Sequence, residues 1–434
     1  MYTNPEKQNR LEKLAKLKEL GYHPYPAKFN KTSLVSEITQ LEDTKPCQTA
    51  GRLMTLRDMG KICFAHIQDE SGRAQVVFQQ DEVGKDVYKT IVSLLDLGDH
   101  IGVSGEIFTT KKGEKSLLVK EFSFLGKALL PLPEKFHGLS DQETAYRQRY
   151  LDVISNEETR KRFIFRSNLI KALRQFYWDN GFMEVETPTL LHKATGANAQ
   201  PYHTHNNALD MDIVLRISHE LPLKEIIVAG YDKVFELGKA FRNEGQDPSH
   251  LPEHTHLEHY AAYWDYQDNI AFTEKMFEYL FDTLALPKVM NIKNKDGELK
   301  EVDWSTPWKK INYIDLVNKD SGLDILSYTD ADALRKDLKK KKIEFDGMES
   351  MGLSTLIDYV YKKVSRPKLI NPTILYNYPK SLQPLARVND ENNAIVDQFQ
   401  LVVNGWEILK AYSELVDPVD QRARFEEQSK AKSA

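Results

Sequence analysis

Only two cysteines, Cys47 and Cys63, occur in 434 residues. That excludes a disulfide framework and a four-cysteine zinc site. No apolar run approaches the ~18 residues that a membrane helix needs. The opening stretch MYTNPEKQNRLEKLAKLKELG is charged and lacks the apolar core of a secretory signal. A cytoplasmic location without a membrane partner is therefore expected. Surplus positive charge is missing too, with 59 Lys and Arg against 64 Asp and Glu and a net charge of -5. This excludes a generic nucleic-acid coat and expects no DNA partner. RNA stays open, because only the face that meets phosphate must be basic. There is no internal repeat, low-complexity tract, helical His-Glu-x-x-His pattern or nucleophile–base pair. What is present, 41% hydrophobic and 28% charged residues, describes a globular chain long enough for two or three domains.

The texture along the chain changes in steps. Leu11, Leu14, Leu17 and Leu20 recur at helical spacing between charges, and Gly21 and Pro24 follow, so residues 8–20 are predicted to form an amphipathic helix. From Thr49 to about Leu125, short alternating segments break at Gly or at Asp-Glu-Ser-Gly. Five such strands with a helical insert near residues 82–95 predict an OB-type β-barrel, a fold that often binds single-stranded nucleic acid. ALLPLPEKFH, residues 128–137, carries two prolines and reads as a linker. Helices are predicted over 141–152 and 156–181. Beyond them strand and helix patterns mix without βαβ alternation, which predicts an α+β domain on an antiparallel sheet. The expected division is a helical extension over 1–48, the barrel over 49–127, a linker over 128–150 and a second domain over 151–434. The basic run RKDLKKKK, residues 335–342, is predicted to be a solvated helix face rather than a phosphate patch.

Chemistry concentrates in two places. The first is FRNEGQDPSHLPEHTHLEHY, residues 241–260, which reads as strand, polar loop and strand. Arg242 offers a planar fork for anionic oxygens, and Glu244 and Glu258 can meet hydroxyl, amine or metal. A surface hairpin with paired charges is the plain alternative. A metal site competes as well, because on a strand His254, His256 and Glu258 share one face, and two histidines with a carboxylate can ligate zinc. The second place is QLVVNGWEILKAYSE, residues 400–414. There Gln400, Glu407 and Glu414 recur every seven residues and could hold Mg²⁺ on a nucleotide, or be ordinary residues of a sheet edge.

Taken together, these segments resemble the class II lysyl-tRNA synthetases over nearly the whole chain. LPEKFHGLSDQETAYRQRYLDVI (132–154) resembles that family's joint between barrel and catalytic domain, and FMEVETPTL (182–190), with Pro188, its motif 1. HNNALDMDIVLRISHEL (205–221) resembles a family-specific run, FRNEG (241–245) motif 2, and NPTILYNYPKSLQPLAR (371–387) onward to QRARFEEQSKAK (421–432) the order and spacing of the C-terminal part. Aspartyl- and asparaginyl-type enzymes share the layout, but the LPEKFHGLSD joint and the NALDMD run favour lysyl. The resemblance implies an ATP-dependent ligase that makes lysyl-adenylate and passes the lysyl group to tRNA(Lys), acting as a homodimer with Mg²⁺ as cofactor. It implies that Arg57, Phe64, Gln75 and Glu114 read the anticodon. Arg242 and Glu244 are the implied catalytic residues, and they meet ATP together with His250 and His254. Gly196, Glu220, Glu258, Tyr260, Lys410, Tyr412 and Glu414 are the implied lysine pocket, and Glu407 and Gln400 the magnesium ligands.

Several positions depart from the family pattern. Gln400 stands for a glutamate, His254 for an aromatic, Gln200 for an arginine and Lys410 for an asparagine, and Pro222 is also unusual. No glycine follows Gly405, and a glycine-rich motif 3 is not found, so a catalytic domain incomplete at its C-terminus is expected. A fixed cation about 4 Å from a substrate ammonium costs about 1 kcal/mol in water and about 4 at an effective dielectric of 20. Lys410 is thus expected either to weaken lysine binding by two or three decades or to pair with Glu414 or Glu258 and fill the pocket itself. The alternative function is an impaired or inactive tRNA-binding paralogue or fragment.

Overall fold

A computed structural model describes residues 5–132, 141–197, 199–245, 250–383 and 385–433. The chain divides into two compact units, Met1–Phe163 and Ile164–Ala434. Part of the expected linker, and most of its LPEKFHGLSD joint, residues 133–140, lies outside the described residues. No helix among the described residues is long and apolar enough to cross a membrane.

The first unit begins with α1 (Pro5–Glu19). Its leucine stripe is only partly inward: Leu17 is fully buried, while Leu11 and Leu20 remain exposed. The predicted apolar seam is replaced in part by Arg10, a buried arginine whose Nη1 donates to the carbonyls of Leu97, Ala128 and Leu130 at 3.1, 3.0 and 3.2 Å. Strands β1 (Pro46–Asp58), β2 (Ile62–Gln68) and β3 (Arg73–Gln79) follow, then α2 (Gln80–Val83), α3 (Lys85–Leu94), β4 (His100–Thr109) and β5 (Lys115–Gly126). The five strands close a barrel in the order β1-β2-β3-β5-β4, with the helical insert where the sequence places it. Along β2 burial alternates strictly, so Cys63, Ala65 and Ile67 enter the core and Phe64 and His66 stand on the outer face. Both thiols are buried and free, and burial pushes Cys63 up to about 11, which removes thiolate chemistry at neutral pH. At Gly105, where the β4–β5 register shifts, a Cβ would lie 1.8 Å from the Leu118 carbonyl oxygen, so only glycine permits that approach. Helices α4 (Gln142–Arg147) and α5 (Arg149–Ser155) come next, and α6 (Glu157–Asp179) continues from this unit into the second. Asp141 caps α4 through the amides of Glu143 and Thr144.

The second unit contains β6 (Met183–Glu184), β7 (Leu190–Leu191), β8 (His203–Asn206), β9 (Met211–Leu215), α7 (Glu220–Val228), β10 (Lys233–Phe241), β11 (Glu253–Ala261) and α8 (Tyr266–Thr283). It continues through β12 (Val289–Lys293), β13 (Leu299–Asp303), β14 (Lys309–Asn312), α9 (Tyr313–Ser321), α10 (Ala331–Lys340), α11 (Leu353–Val364), β15 (Thr373–Pro379), β16 (Ile395–Val403), β17 (Trp406–Tyr412) and α12 (Pro418–Ser433). The predicted antiparallel α+β arrangement is realised mainly by two sheets, β11-β10-β6 and β14-β15-β16-β17. Each admits one parallel pair, β10 with β6 and β14 with β15. The turn between β16 and β17 is Asn404-Gly405, both at positive φ (49° and 74°), the pairing that a two-residue hairpin favours. The RKDLKKKK run is largely the α10 face expected. Leu334 and Leu338 are buried, while Lys340 pairs with Asp337 and Lys339 with Glu349.

Candidate active site

The β10–β11 register places Glu236 opposite Glu258, Gly238 opposite His256 and Ala240 opposite His254. By the period of two, these side chains share one face of the sheet, and Arg242 continues the row beyond the end of β10. Glu236 is fixed at the base of the row: its Oε2 accepts from the amide and hydroxyl of Thr187 at 3.1 and 2.6 Å, and its Oε1 from Arg216 Nη1 at 2.6 Å. Glu258 Oε1 accepts from Ser218 Oγ at 2.7 Å and from the His219 amide at 3.0 Å. Burial disfavours its charge, but the contacts with His219, His256 and Ser218 overcome it and hold the carboxyl at about 2. Burial lowers His256 to about 4, so its imidazole is neutral at neutral pH.

Helix α7 brings a second carboxylate. Glu220, its first residue, is buried, and Gly196 packs on it so closely that a Cβ there would lie 2.8 Å from Glu220 Cβ. The glycine also holds φ at +83°, so close approach and backbone conformation both require it. Tyr412 donates its hydroxyl to Glu220 Oε1 at 2.8 Å. Lys224, one turn along α7, places its ammonium 2.7 Å from Glu220 and 2.7 Å from Glu414, and 6.0 Å from the Tyr260 ring centroid. Tyr260 Oη in turn donates to Glu258 Oε2 at 3.4 Å. Burial and the charges of Glu220 and Glu258 raise Glu414 to about 7 although Lys224 opposes the shift. Burial alone would lower the Lys224 ammonium, but Glu414 and Glu220 outweigh it and raise it. The result is a pocket of three carboxylates and two phenols with one internal ammonium bridging two of the acids.

The remaining residues named from sequence fall around this pocket or apart from it. Arg242 donates through Nε to the Ile217 carbonyl at 3.2 Å, and its charge acts on His254, His256 and Lys410. Lys410 reaches solvent, yet burial of its surroundings lowers its ammonium, with Glu220 and Glu407 opposing and Arg242 reinforcing. It contacts Gln383 Oε1 at 3.3 Å and makes no ion pair with Glu414 or Glu258 among the described residues. The expectation that Lys410 pairs with Glu414 or Glu258 is thus corrected: the bridging ammonium is that of Lys224, which α7 places between Glu220 and Glu414, while Lys410 on β17 meets Gln383 and feels Glu220 only through its charge. Glu244 and His250 are exposed; Glu244 accepts from the Gln200 amide at 3.4 Å. His254 Nδ1 lies 3.3 Å from the Leu251 carbonyl. Glu407 Oε1 accepts from Arg366 at 3.2 Å, and Gln400 Oε1 from Tyr378 at 2.6 Å, while Lys410 is the cross-strand partner of Gln400. One arginine-paired carboxylate and one engaged amide beside a lysine do not fit a Mg²⁺ held by these two side chains.

On the barrel unit, Arg57 is the cross-strand partner of Phe64 on the outer face. Buried Gln75 donates to Glu114 Oε2 at 2.8 Å and accepts from Ser116 Oγ at 2.9 Å. His66, not singled out from sequence, is the β3 partner of Gln75 and lies 3.4 Å from Glu114, so it joins the four expected positions. Sequence reasoning also passed over Lys224, whose i,i+4 spacing from Glu220 was the available signal. Ser218 and His219 carried no signal. The zinc grouping of His254, His256 and Glu258 is not formed; among the described residues the one cluster with metal-ligand spacing is His219, His256 and Glu258.

Comparison with known proteins places this geometry in context. Residues 141–434 match the family of class II tRNA synthetases (D, K and N), and residues 48–125 match the OB-fold nucleic acid binding domain. The chain is 41% identical to the lysine–tRNA ligase of Lactococcus lactis subsp. cremoris (strain MG1363) over 444 residues, covering 99% of this chain and 87% of that protein. It is 46% identical to that of Aquifex aeolicus (strain VF5) over 390 residues, or 89% of this chain and 64% of that protein. It is 42% identical to that of Carboxydothermus hydrogenoformans over 428 residues, 98% and 86% respectively.

Proposed function

We propose, from the premise that the chain belongs to the class II tRNA synthetases of the D, K and N type, that it is a lysine–tRNA ligase using ATP and tRNA(Lys). The observation that carries the choice of amino acid is the triple-carboxylate pocket with an internal ammonium already bridging two of its acids. An aspartate side chain would add a fourth negative charge, and about 4 kcal/mol of repulsion per like pair at 4 Å near a protein surface sets itself against it. A neutral asparagine side chain would add no countercharge beyond Lys224 and its own α-ammonium. Lysine brings two ammonium groups, and Glu220, Glu258 and Glu414 receive them, with Tyr260 and Tyr412 enclosing the chain and Gly196 leaving room.

In this reading Arg242 holds the α-phosphate of ATP and the substrate carboxylate together. A carboxylate oxygen of lysine attacks the α-phosphorus, the bond to the β-phosphate oxygen breaks, and pyrophosphate leaves. The 3′-terminal ribose hydroxyl of tRNA then attacks the acyl carbon, and AMP leaves. Both steps depend on positioning and charge neutralisation rather than on a protein base. Glu244, His250 and His254 border the nucleotide, and Lys410, whose ammonium feels both Glu220 and Arg242, adds cationic charge to the site. Mg²⁺ bound to the nucleotide, a homodimer formed around Pro188 and a cytoplasmic location come from the family resemblance alone. On the barrel, Phe64 stacks a base, while Arg57, Gln75 and Glu114 bond base edges.

The test is pyrophosphate exchange with lysine, aspartate or asparagine as the amino acid. Exchange with lysine alone is expected. Exchange driven by aspartate or asparagine, or none with lysine by the folded protein, overturns the reading.

A further inference from the structure

We propose that His219, His256 and Glu258 form a three-ligand site for a divalent transition-metal ion of the zinc type. Their donor atoms all lie within 4.8 Å of one another. Nδ1 of His256 is 3.1 Å and Nδ1 of His219 is 3.6 Å from the same oxygen, Oε1 of Glu258. Ligands about 2.0–2.1 Å from a tetrahedral zinc stand roughly 3.3 Å apart, so small side-chain rotations close the set. Two imidazoles and a carboxylate suit zinc, whereas Mg²⁺ and Ca²⁺ prefer oxygen donors throughout.

Three independent features point to a ligand at this place. The first is unsatisfied polarity. His219 is fully buried, yet neither of its ring nitrogens makes a hydrogen bond, nor does Nδ1 of His256. The fold can satisfy an enclosed imidazole: His259, among the rings of Tyr177, Phe182 and Phe272, accepts from Tyr177 at 2.8 Å and donates to Asn269 at 3.0 Å. A buried nitrogen left without a partner is costly, and a metal bond removes that cost. The second feature is an outer carboxylate. Glu236 Oε1 lies 3.6 Å from His219 Nε2 and is itself fixed by Arg216 and Thr187. A carboxylate behind the distal nitrogen is the usual means of orienting a metal-ligating histidine. The third is space. A Cβ at Gly238 would lie 2.6 Å from Arg216 Nη2, 3.0 Å from His219 Nε2 and 3.1 Å from Glu236 Oε1, so glycine at this strand position makes room for the ring together with the outer carboxylate and its arginine.

The site is open on one side, since the His256 side chain keeps about a third of its surface accessible, 33%. Water or an amine can therefore complete a fourth position. This inference shares Glu258 with the ligase reading, but the two fail separately, because metal binding is measured without turnover and amino-acid-dependent exchange without added zinc.

The probe is Zn²⁺ alone, titrated into the full-length metal-free protein against a chromophoric chelator, with Co²⁺ as a spectroscopic substitute. One zinc per chain and the visible absorption of tetrahedral Co²⁺ are expected. His219→Gln and His256→Gln each lose that site, and Glu236→Gln keeps the stoichiometry but binds about ten- to a hundredfold more weakly. His205→Gln, on exposed β8, leaves binding unchanged. Circular dichroism confirms that each variant is folded. Absence of zinc binding by the folded parent, or equal binding by parent and His219→Gln, overturns the site.

Discussion

On the barrel, Gln75, Ser116, Glu114 and His66 hold one another in a short network at the outer face. In the second unit, Glu220, Glu258 and Glu414 converge with Lys224 in a half-buried pocket. The exposed end of the first group is cheap to rearrange, because the Glu114 carboxylate can exchange a neighbour for a base edge without a large desolvation term, whereas Gln75 and Ser116 behind it are buried. The second group carries the electrostatic cost of burial and concentrated charge at Glu414, raised to about 7 by burial and by Glu220 and Glu258, while Glu258 is held near 2 by its contacts with His219, His256 and Ser218. Reading a polymer of splayed bases calls for adaptable donors and acceptors. Selecting one small cation calls for fixed, poorly solvated anions.

If that contrast holds, damage in the pocket should remove chemistry, and damage on the barrel should remove only tRNA affinity. The largest effect is expected for Arg242→Ala, with lysine-dependent pyrophosphate exchange falling about 10²–10³-fold, as for loss of one preorganised charge contact. Glu220→Gln comes next. Loss of a charge-assisted contact of about 1.5–3 kcal/mol raises the lysine KM roughly ten- to a hundredfold in the same assay. Phe64→Ala should weaken tRNA(Lys) binding by about 1–3 kcal/mol of stacking in a filter or titration assay and leave pyrophosphate exchange unchanged. A fall in exchange for that variant breaks the comparison.

The smallest effect is a pH dependence. Glu414 must be ionised to receive an ammonium, so lysine affinity should decline as pH falls through about 7, by at most about tenfold per pH unit. Glu414→Gln should flatten that profile. The stability of the unliganded protein runs the other way. The folded-state value lies above the unfolded one, so the contribution of this group is full below the ordinary carboxylate range and is lost as pH rises through about 7. Thermal melts of parent and Glu414→Gln between pH 5 and 8 measure it.

The legible parts of the molecule were those with short-range periodicity. The alternation of β2 exposes Phe64 and His66 and buries Cys63, and the alternation of β11 puts His254, His256 and Glu258 on one face. Both follow from the period-two geometry of a strand. The leucine repeat of α1 was legible as a helix but not as a buried stripe. The buried Arg10 satisfies carbonyls at residues 97, 128 and 130, partners that no local pattern announces. Lys410 was recognised as an intruding cation, but its neighbours were misjudged, because residue spacing says nothing about which acid a β17 side chain meets. Lys224 was passed over, because an i,i+4 pairing such as its spacing from Glu220 offers is on most helices solvated and weak.

The sequence by itself determined the barrel, the β10–β11 hairpin and the residue types of the pocket, since each depends on periodicity, turn chemistry and motifs contained in one segment. The tertiary structure alone decided that Lys224 bridges Glu220 and Glu414, that Lys410 meets Gln383 rather than Glu414 or Glu258, and that His219 comes from the start of α7 to meet His256 and Glu258. Those outcomes depend on distances between segments remote in the chain, and in a partly buried site such distances set whether a charge is paired, neutralised or left to bind something else.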